Sequence, residues 1–298
     1  MSTTRPGRIA ALALAVLAAT LLARCASAPG EAPSVDSALA GPGFSFAVIG
    51  DSGTGSKKQY AVARALEDSW RKDRFDLVVM LGDNIYEKKG EPPDFLERFE
   101  KPYETLLANG VKFRACLGNH DDAEAEIRYA PFNMEGRRYY TFRAGDGLLQ
   151  FFALDTKGLD ADQAAWLDRE AGASTATWKI AFFHKPIYTS ADRGPSLKAR
   201  VIFEPIFVKH GVDVALSGHE HVYERLRPQN GVQYFISGGA GHVDRRTINR
   251  SYPDFVTGND TLPHFMRFHA TADALTFQAI AASGDVLDSG RIDASPGR

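Results

Sequence analysis

Five short apolar runs in this 298-residue chain each end on a side chain that can give an electron pair to a cation. Phe44–Ile49 runs into Gly50-Asp51, and Phe75–Leu81 into Gly82-Asp83-Asn84-Ile85-Tyr86. Lys112–Leu117 precedes Gly118-Asn119-His120-Asp121, Trp178–Phe183 precedes His184, and Val212–Leu216 precedes Ser217-Gly218-His219-Glu220-His221. The carboxyl ends of strands in an α/β sheet are where sites assemble. Two cations held about 3.5–4 Å apart need a shared carboxylate and further donors on both flanks. Carboxylate, amide, phenolate and imidazole donors together suit Fe, Zn or Mn better than Mg alone. His219 and His221 lie two apart, so an extended turn can aim both rings at one place, each toward a different metal.

Taken singly, these residues have ordinary explanations. A strand-end aspartate caps a turn, a buried histidine is satisfied in a core, and Tyr86 packs. Five such endings in one chain argue for a site. The stretch "VIGDSGTGSKKQY" (48–60) also resembles a phosphate loop, but its order is Gly55-Ser56-Lys57. That displaces the lysine by one residue, roughly 100° around a helix. Its glycines are expected to turn the chain sharply and bring Asp51 to a metal, with Lys57 and Lys58 facing water.

The elements that position these residues follow from the pattern. Besides the five runs, Arg138–Arg143 and Leu148–Leu154 read as a hairpin about "AGDG", and Val232–Ile236, Phe265–Ala270, Leu275–Ala281 and Val286–Ser289 as strands. Lys57–Lys72, Pro93–Ala108, Ala161–Glu170 and Pro195–His210 read as helices. Short, wholly apolar strands imply sheets buried on both faces. The expected architecture is α/β: two packed mixed sheets with helices outside, one domain over residues 44–298. The loops at 87–93 and 245–261 carry no pattern.

Composition limits the partners. The net charge is −2 and no long Lys/Arg run is present, so no nucleic-acid-binding surface is expected. Residues 1–25 combine a basic start with an apolar stretch, Ile9–Ala23, shorter than the ~20 residues of a membrane span. They read as a signal peptide. "LLARCASAPG" resembles a bacterial lipoprotein signal with Cys25 lipidated, departing from that pattern at Arg24. Cleavage after Ala28 is the rival. Residues 26–43 read as a flexible tether. Export from a bacterial cell is expected, to the periplasm or to the outer membrane by a lipid anchor at Cys25. Cys116, on an apolar run, reads as a small buried hydrophobe.

The motif series "GD…GDNIY…GNHD…H…GHEH" resembles the calcineurin-like metallophosphoesterase superfamily. Tyr86, three residues after Asp83, is similar to the purple (tartrate-resistant) acid phosphatase branch. The resemblance runs from Phe44 to about Gly241 and implies a four-layer α/β/β/α sandwich. It implies one metal site of Asp51, Asp83, Tyr86 and His221, and a second of Asp83, Asn119, His184 and His219, with Asp83 bridging. It also implies two metal ions as cofactors: Fe(III) bound by tyrosinate, and a divalent Fe, Zn or Mn. The substrate would be a small phosphate monoester, hydrolysed by a hydroxide derived from metal-bound water. His120, with Asn119, would orient the phosphate, and His120 would protonate the leaving group. Arg193 stands where mammalian members carry a histidine, and His242 where the branch has asparagine. Both are candidates for substrate contact, against a solvated arginine and a packed histidine.

Other classes fit less well. The Ser/Thr protein phosphatases share the fold but follow the second motif with Asp-Arg-Gly, absent from "GDNIYEKKG". A phosphodiesterase or nucleotidase would use the same metal centre. A catalytically silent binding lipoprotein would be expected to have lost donors, and here every position is filled.

Overall fold

Strand formation follows the apolar runs. The computed structural model describes residues 42–87 and 92–294. The signal, tether and Cys25 expectations therefore lie outside the described residues, apart from Pro42 and Gly43. The order begins β1 (Phe44–Ile49), α1 (Lys57–Lys72), β2 (Leu77–Met80), α2 (Glu104–Ala108), β3 (Lys112–Ala115) and α3 (Ala123–Glu126). It continues with β4 (Tyr140–Ala144), β5 (Leu149–Ala153), α4 (Ala161–Gly172), β6 (Trp178–Phe183), α5 (Leu197–His210) and β7 (Val214–Ser217). The remainder is β8 (Tyr223–Leu226), β9 (Gln233–Ser237), β10 (Phe255–Asn259), β11 (His264–Ala270), β12 (Ala274–Ala281) and β13 (Val286–Asp293).

Two mixed sheets result. One has the order β13-β12-β11-β1-β2-β3, the other β10-β8-β9-β7-β6-β5-β4. β1, β2 and β3 are mutually parallel, as are β5, β6, β7 and β9. These parallel strands carry the motifs, so their carboxyl ends lie at matching edges of the two sheets. Alternation along each strand builds the layers. Phe151 and Phe182 join Phe46 and Phe268 in the core between the sheets. Their neighbours Phe152 and Phe183 point the other way, onto Leu167 of α4 and Phe203 and Phe207 of α5. Helix α1 covers the first sheet with Val62, Ala63, Leu66 and Trp70, one helical face. The α/β/β/α expectation is met.

Local signals set the helix ends. Ser56, Asp160 and Ser196 are N-caps of α1, α4 and α5, each accepting a backbone N–H three residues on. The predicted helix over 93–108 is interrupted: a π turn spans Leu96–Glu100 and α2 starts only at Glu104. Pro102 lies between them and offers no N–H to continue the ladder. Strands β8 and β10 were not anticipated, and β10 falls inside the stretch read as patternless loop. "YERL" and "FVTGN" have too few apolar residues to announce themselves. Cys116 is a free, fully buried thiol.

Candidate metal centre

Tight loops at the strand ends put seven of the expected side chains around two points. Asp51, Asp83 and His219 all have left-handed backbones, with φ of 55°, 50° and 69°. Such backbone costs a non-glycine residue about 1–2 kcal/mol, a strain typical of functional sites. Inter-loop hydrogen bonds hold it in place: Asp51 N–H donates to Gly82 O (3.0 Å), Gly218 N–H to His184 O (3.0 Å) and Tyr86 N–H to Gly53 O (2.8 Å). Close approach explains Gly118 and Gly218, where a Cβ would strike the Asp83 and Asp51 carboxylates respectively. The remainder of the first loop serves α1. Ser56 Oγ caps the helix and donates to Gly241 O (3.2 Å), while Lys57 and Lys58 are exposed.

At the first point the Tyr86 hydroxyl lies 3.1 Å from Asp51 Oδ1, 3.0 Å from Asp83 Oδ2 and 3.3 Å from His221 Nε2. At the second, His184 Nε2 lies 3.3 Å from Asp83 Oδ1, 3.1 Å from Asn119 Oδ1 and 3.2 Å from His219 Nδ1. Asp83 thus gives one oxygen to each group. Among the described residues, ligand atoms of Asp51, Asp83 and His184 lie within 4.8 Å of one another, the spacing of a cation site. His184 Nδ1 donates to Leu81 O at 2.9 Å, leaving an Nε2 lone pair for the second point. Backbone N–H groups bind the other carboxylate edges: His219 N–H to Asp51 Oδ2 (2.8 Å) and His120 N–H to Asp83 Oδ1 (2.9 Å).

The electrostatics are those of a cluster built around cations. Burial and the Asp51 and Asp83 carboxylates hold the Tyr86 phenol far above its ordinary 10. Burial opposes charge on His184, yet the Asp83 and Asp51 carboxylates raise it to about 9. Burial and the neighbouring His184 depress His219 to about 3. Burial also opposes charge on Asp83, but His184 holds its carboxyl well below the usual range. The protons on Tyr86 and His184 occupy the places that cations would take. Oxygen and imidazole donors, with no thiolate, fit Fe, Zn or Mn.

The remaining candidates lie at the rim. The exposed His120 ring is 4.9 Å from that of Tyr86, centre to centre. His242 meets Tyr86 edge-on at 4.8 Å and stacks on His221 at 4.8 Å. Arg193 Nη2 lies 3.2 Å from His221 Nδ1 and donates to Asp244 Oδ2 at 2.7 Å. Arg193 therefore stands behind His221, on the side away from the two points.

Sequence reading missed a supporting layer. Asp121 accepts from Gly118 N (2.7 Å), Asn84 N (2.7 Å) and Asn84 Nδ2 (3.0 Å), tying the Asp83 loop to the Asn119 loop. Asn84 Nδ2 also reaches Cys116 O and Glu126 Oε2. Burial and Asp83 push Asp121 up to about 7, and burial and Asp121 push Glu126 well above its ordinary range. The signal was available: Asn84 and Asp121 each adjoin or lie within two residues of a candidate ligand. Nothing in the spacing pointed to Lys157, whose Nζ lies 3.5 Å from Asn119 O, or to Asp244.

Comparison with known proteins agrees with this geometry. The calcineurin-like phosphoesterase family model matches residues 44–223. Tartrate-resistant acid phosphatase type 5 from Mus musculus is 24% identical, covering 83% of this chain and 89% of that protein. Purple acid phosphatase 17 of Arabidopsis thaliana is 27% identical, with 66% and 68% covered. Among solved structures, GAP50, the anchor in the inner membrane complex of Plasmodium, superposes with a TM-score of 0.73 at 16% identity, covering 86% of this chain and 90% of that one. The purple acid phosphatase PPD1 from yellow lupin gives 0.63 at 18% identity, covering 84% and 53%. At these identities the solved structures speak to the fold alone.

Proposed function

The chain belongs to the calcineurin-like phosphoesterase family, in its purple acid phosphatase-like branch, and is a metal-dependent phosphoester hydrolase; from that premise we propose that it cleaves phosphate monoesters at a two-metal centre. The observation that carries the reading is the division of the Asp83 carboxylate, Oδ2 toward Asp51, Tyr86 and His221, and Oδ1 toward His184 and its partners Asn119 and His219. The first group, with its phenol, suits Fe(III). The second suits divalent Fe, Zn or Mn. Bound metals supply positive charge for the phosphate oxygens and lower the pKa of a water from 15.7 toward about 7.

This chain's own residues do the rest. Asn119 belongs to the second group, and the exposed His120, its ring beside Tyr86 of the first, faces incoming substrate. His120 sits on a turn whose backbone is fixed by its N–H bond to Asp83, so its ring can orient the phosphate and protonate the leaving oxygen. His242, packed on Tyr86 and His221, lines the site beside the first group. We also propose export from a bacterial cell, with residues 1–25 as the signal and Cys25 as the candidate for lipid anchoring, on the sequence pattern alone.

The test is metal analysis of the purified chain with a screen of phosphomonoesters against phosphodiesters. Two metals per chain and faster monoester cleavage are expected. Faster diester cleavage would replace the monoester reading, and metal-independent turnover would overturn the two-metal one.

A further inference from the structure

We infer that Asp244 and Arg193 are positioning residues that set the tautomer of His221. This rests on the two-metal reading of the site and extends it to residues behind the donors.

His221 meets different partners through its two ring nitrogens. Nε2 faces Asp51 Oδ1 (3.4 Å) and the Tyr86 hydroxyl (3.3 Å), where a metal would bind. Nδ1 faces Asp244 Oδ2 (3.1 Å) and Arg193 Nη2 (3.2 Å). An ionised carboxylate can only accept a hydrogen bond, and a guanidinium can only donate. Asp244 therefore calls for a proton on Nδ1, which leaves the Nε2 lone pair free for a metal. Arg193 alone would call for the reverse, a lone pair on Nδ1 and the proton on Nε2, blocking the metal.

The conflict resolves because Arg193 has a better acceptor. Its Nη2 donates to the same Asp244 oxygen at 2.7 Å, shorter than its contact with the ring. The carboxylate takes both donors, and Arg193 balances its charge. Both residues are held in place by their loops. Asp244 N–H donates to His221 O (3.1 Å), and the Arg193 turn is joined to the following loop by the Ala191–Ile248 bridge and the Asn249 N–H to Ser190 O bond (3.1 Å).

Opposite demands on one nitrogen predict effects that are not additive. Asp244→Ala leaves Arg193 as the lone partner of Nδ1 and should weaken metal binding about 10–100-fold, the usual effect of losing such a partner. Asp244→Asn keeps an acceptor and should recover most of that loss. Removing Arg193 as well, in Asp244→Ala/Arg193→Ala, should bind better than Asp244→Ala alone. The measurement is Zn2+ affinity of the metal-stripped chain by competition with a chelator, with the visible band of the iron-loaded chain as a second readout. An Asp244→Ala affinity equal to wild type, or a double variant no better than the single one, overturns the inference. A wild-type chain that takes up no Zn2+ overturns the two-metal reading, and the inference with it.

Discussion

The Tyr86 hydroxyl lies 3.0 Å from Oδ2 of Asp83, three residues earlier on the same loop. Without metal that contact is a hydrogen bond donated by a phenol, and burial with Asp51 and Asp83 keeps the phenol protonated far above its ordinary 10. A metal at this point must displace the proton. Its affinity should therefore rise with pH, about tenfold per pH unit for each proton released. Calorimetric titration of the metal-stripped chain in two buffers of different ionisation enthalpy counts the protons. Metal binding without proton release would show that Tyr86 is not a ligand.

Tyr86→Phe separates colour from fold. The hydroxyl is lost, but the Asp51 and Asp83 carboxylates keep their bonds from His219 N–H and His120 N–H. The variant should stay folded and, loaded with iron, lack the visible tyrosinate-to-iron band of the wild type. Absorption spectroscopy decides. An iron-loaded wild type without such a band removes Tyr86 from the ferric site.

Asp83→Asn tests the shared carboxylate. Asparagine tolerates the left-handed backbone that Asp83 adopts (φ 50°) better than other residues do, so folding should survive. The charge that faces both groups is lost. Bound metal should fall below two per chain and turnover should drop to background. Full metal content with full activity would sink the two-metal reading.

The strand-end motifs were legible because each reports a local event: an apolar run, then a tight turn, then a donor. Asp51, Asp83, Asn119, His184, His219 and His221 could all be picked out that way. The register between sheets was not legible, since it depends on Phe151 and Phe182 meeting Phe46 and Phe268 from distant parts of the chain. For the same reason the Asp244–His221 contact left no trace in spacing. Strand β8 was hidden by its charged residues: Arg225 pairs with Asp288 of β13, and Glu224 is buried against Thr189 and Ser190. Tertiary partners satisfy those groups, and a single sequence does not show partners.

His120→Ala probes proton donation. The ring is exposed above the site, while only its backbone N–H binds Asp83, so removing the side chain should leave the donor groups in place. A general acid matters most when the leaving group is basic. Alkyl phosphates should slow by about 10²–10⁴-fold and nitrophenyl phosphate far less. Equal slowing of both would assign His120 to phosphate binding instead.

A histidine outside the site contributes to acid stability. His264 opens β11 fully buried, its Nδ1 3.3 Å from Leu262 O, and burial pushes its pKa from 6.5 down to about 4. The unfolded chain takes up a proton near pH 6.5 that the folded chain refuses until about pH 4. The stability from this group is therefore complete above pH 6.5 and declines as pH falls to 4, by about 3 kcal/mol in all. His264→Gln keeps an N–H donor and never ionises. Urea unfolding between pH 7 and pH 4 should show a shallower loss of stability in the variant than in the wild type. Parallel pH profiles would mean that the folded chain protonates His264 at its ordinary pKa.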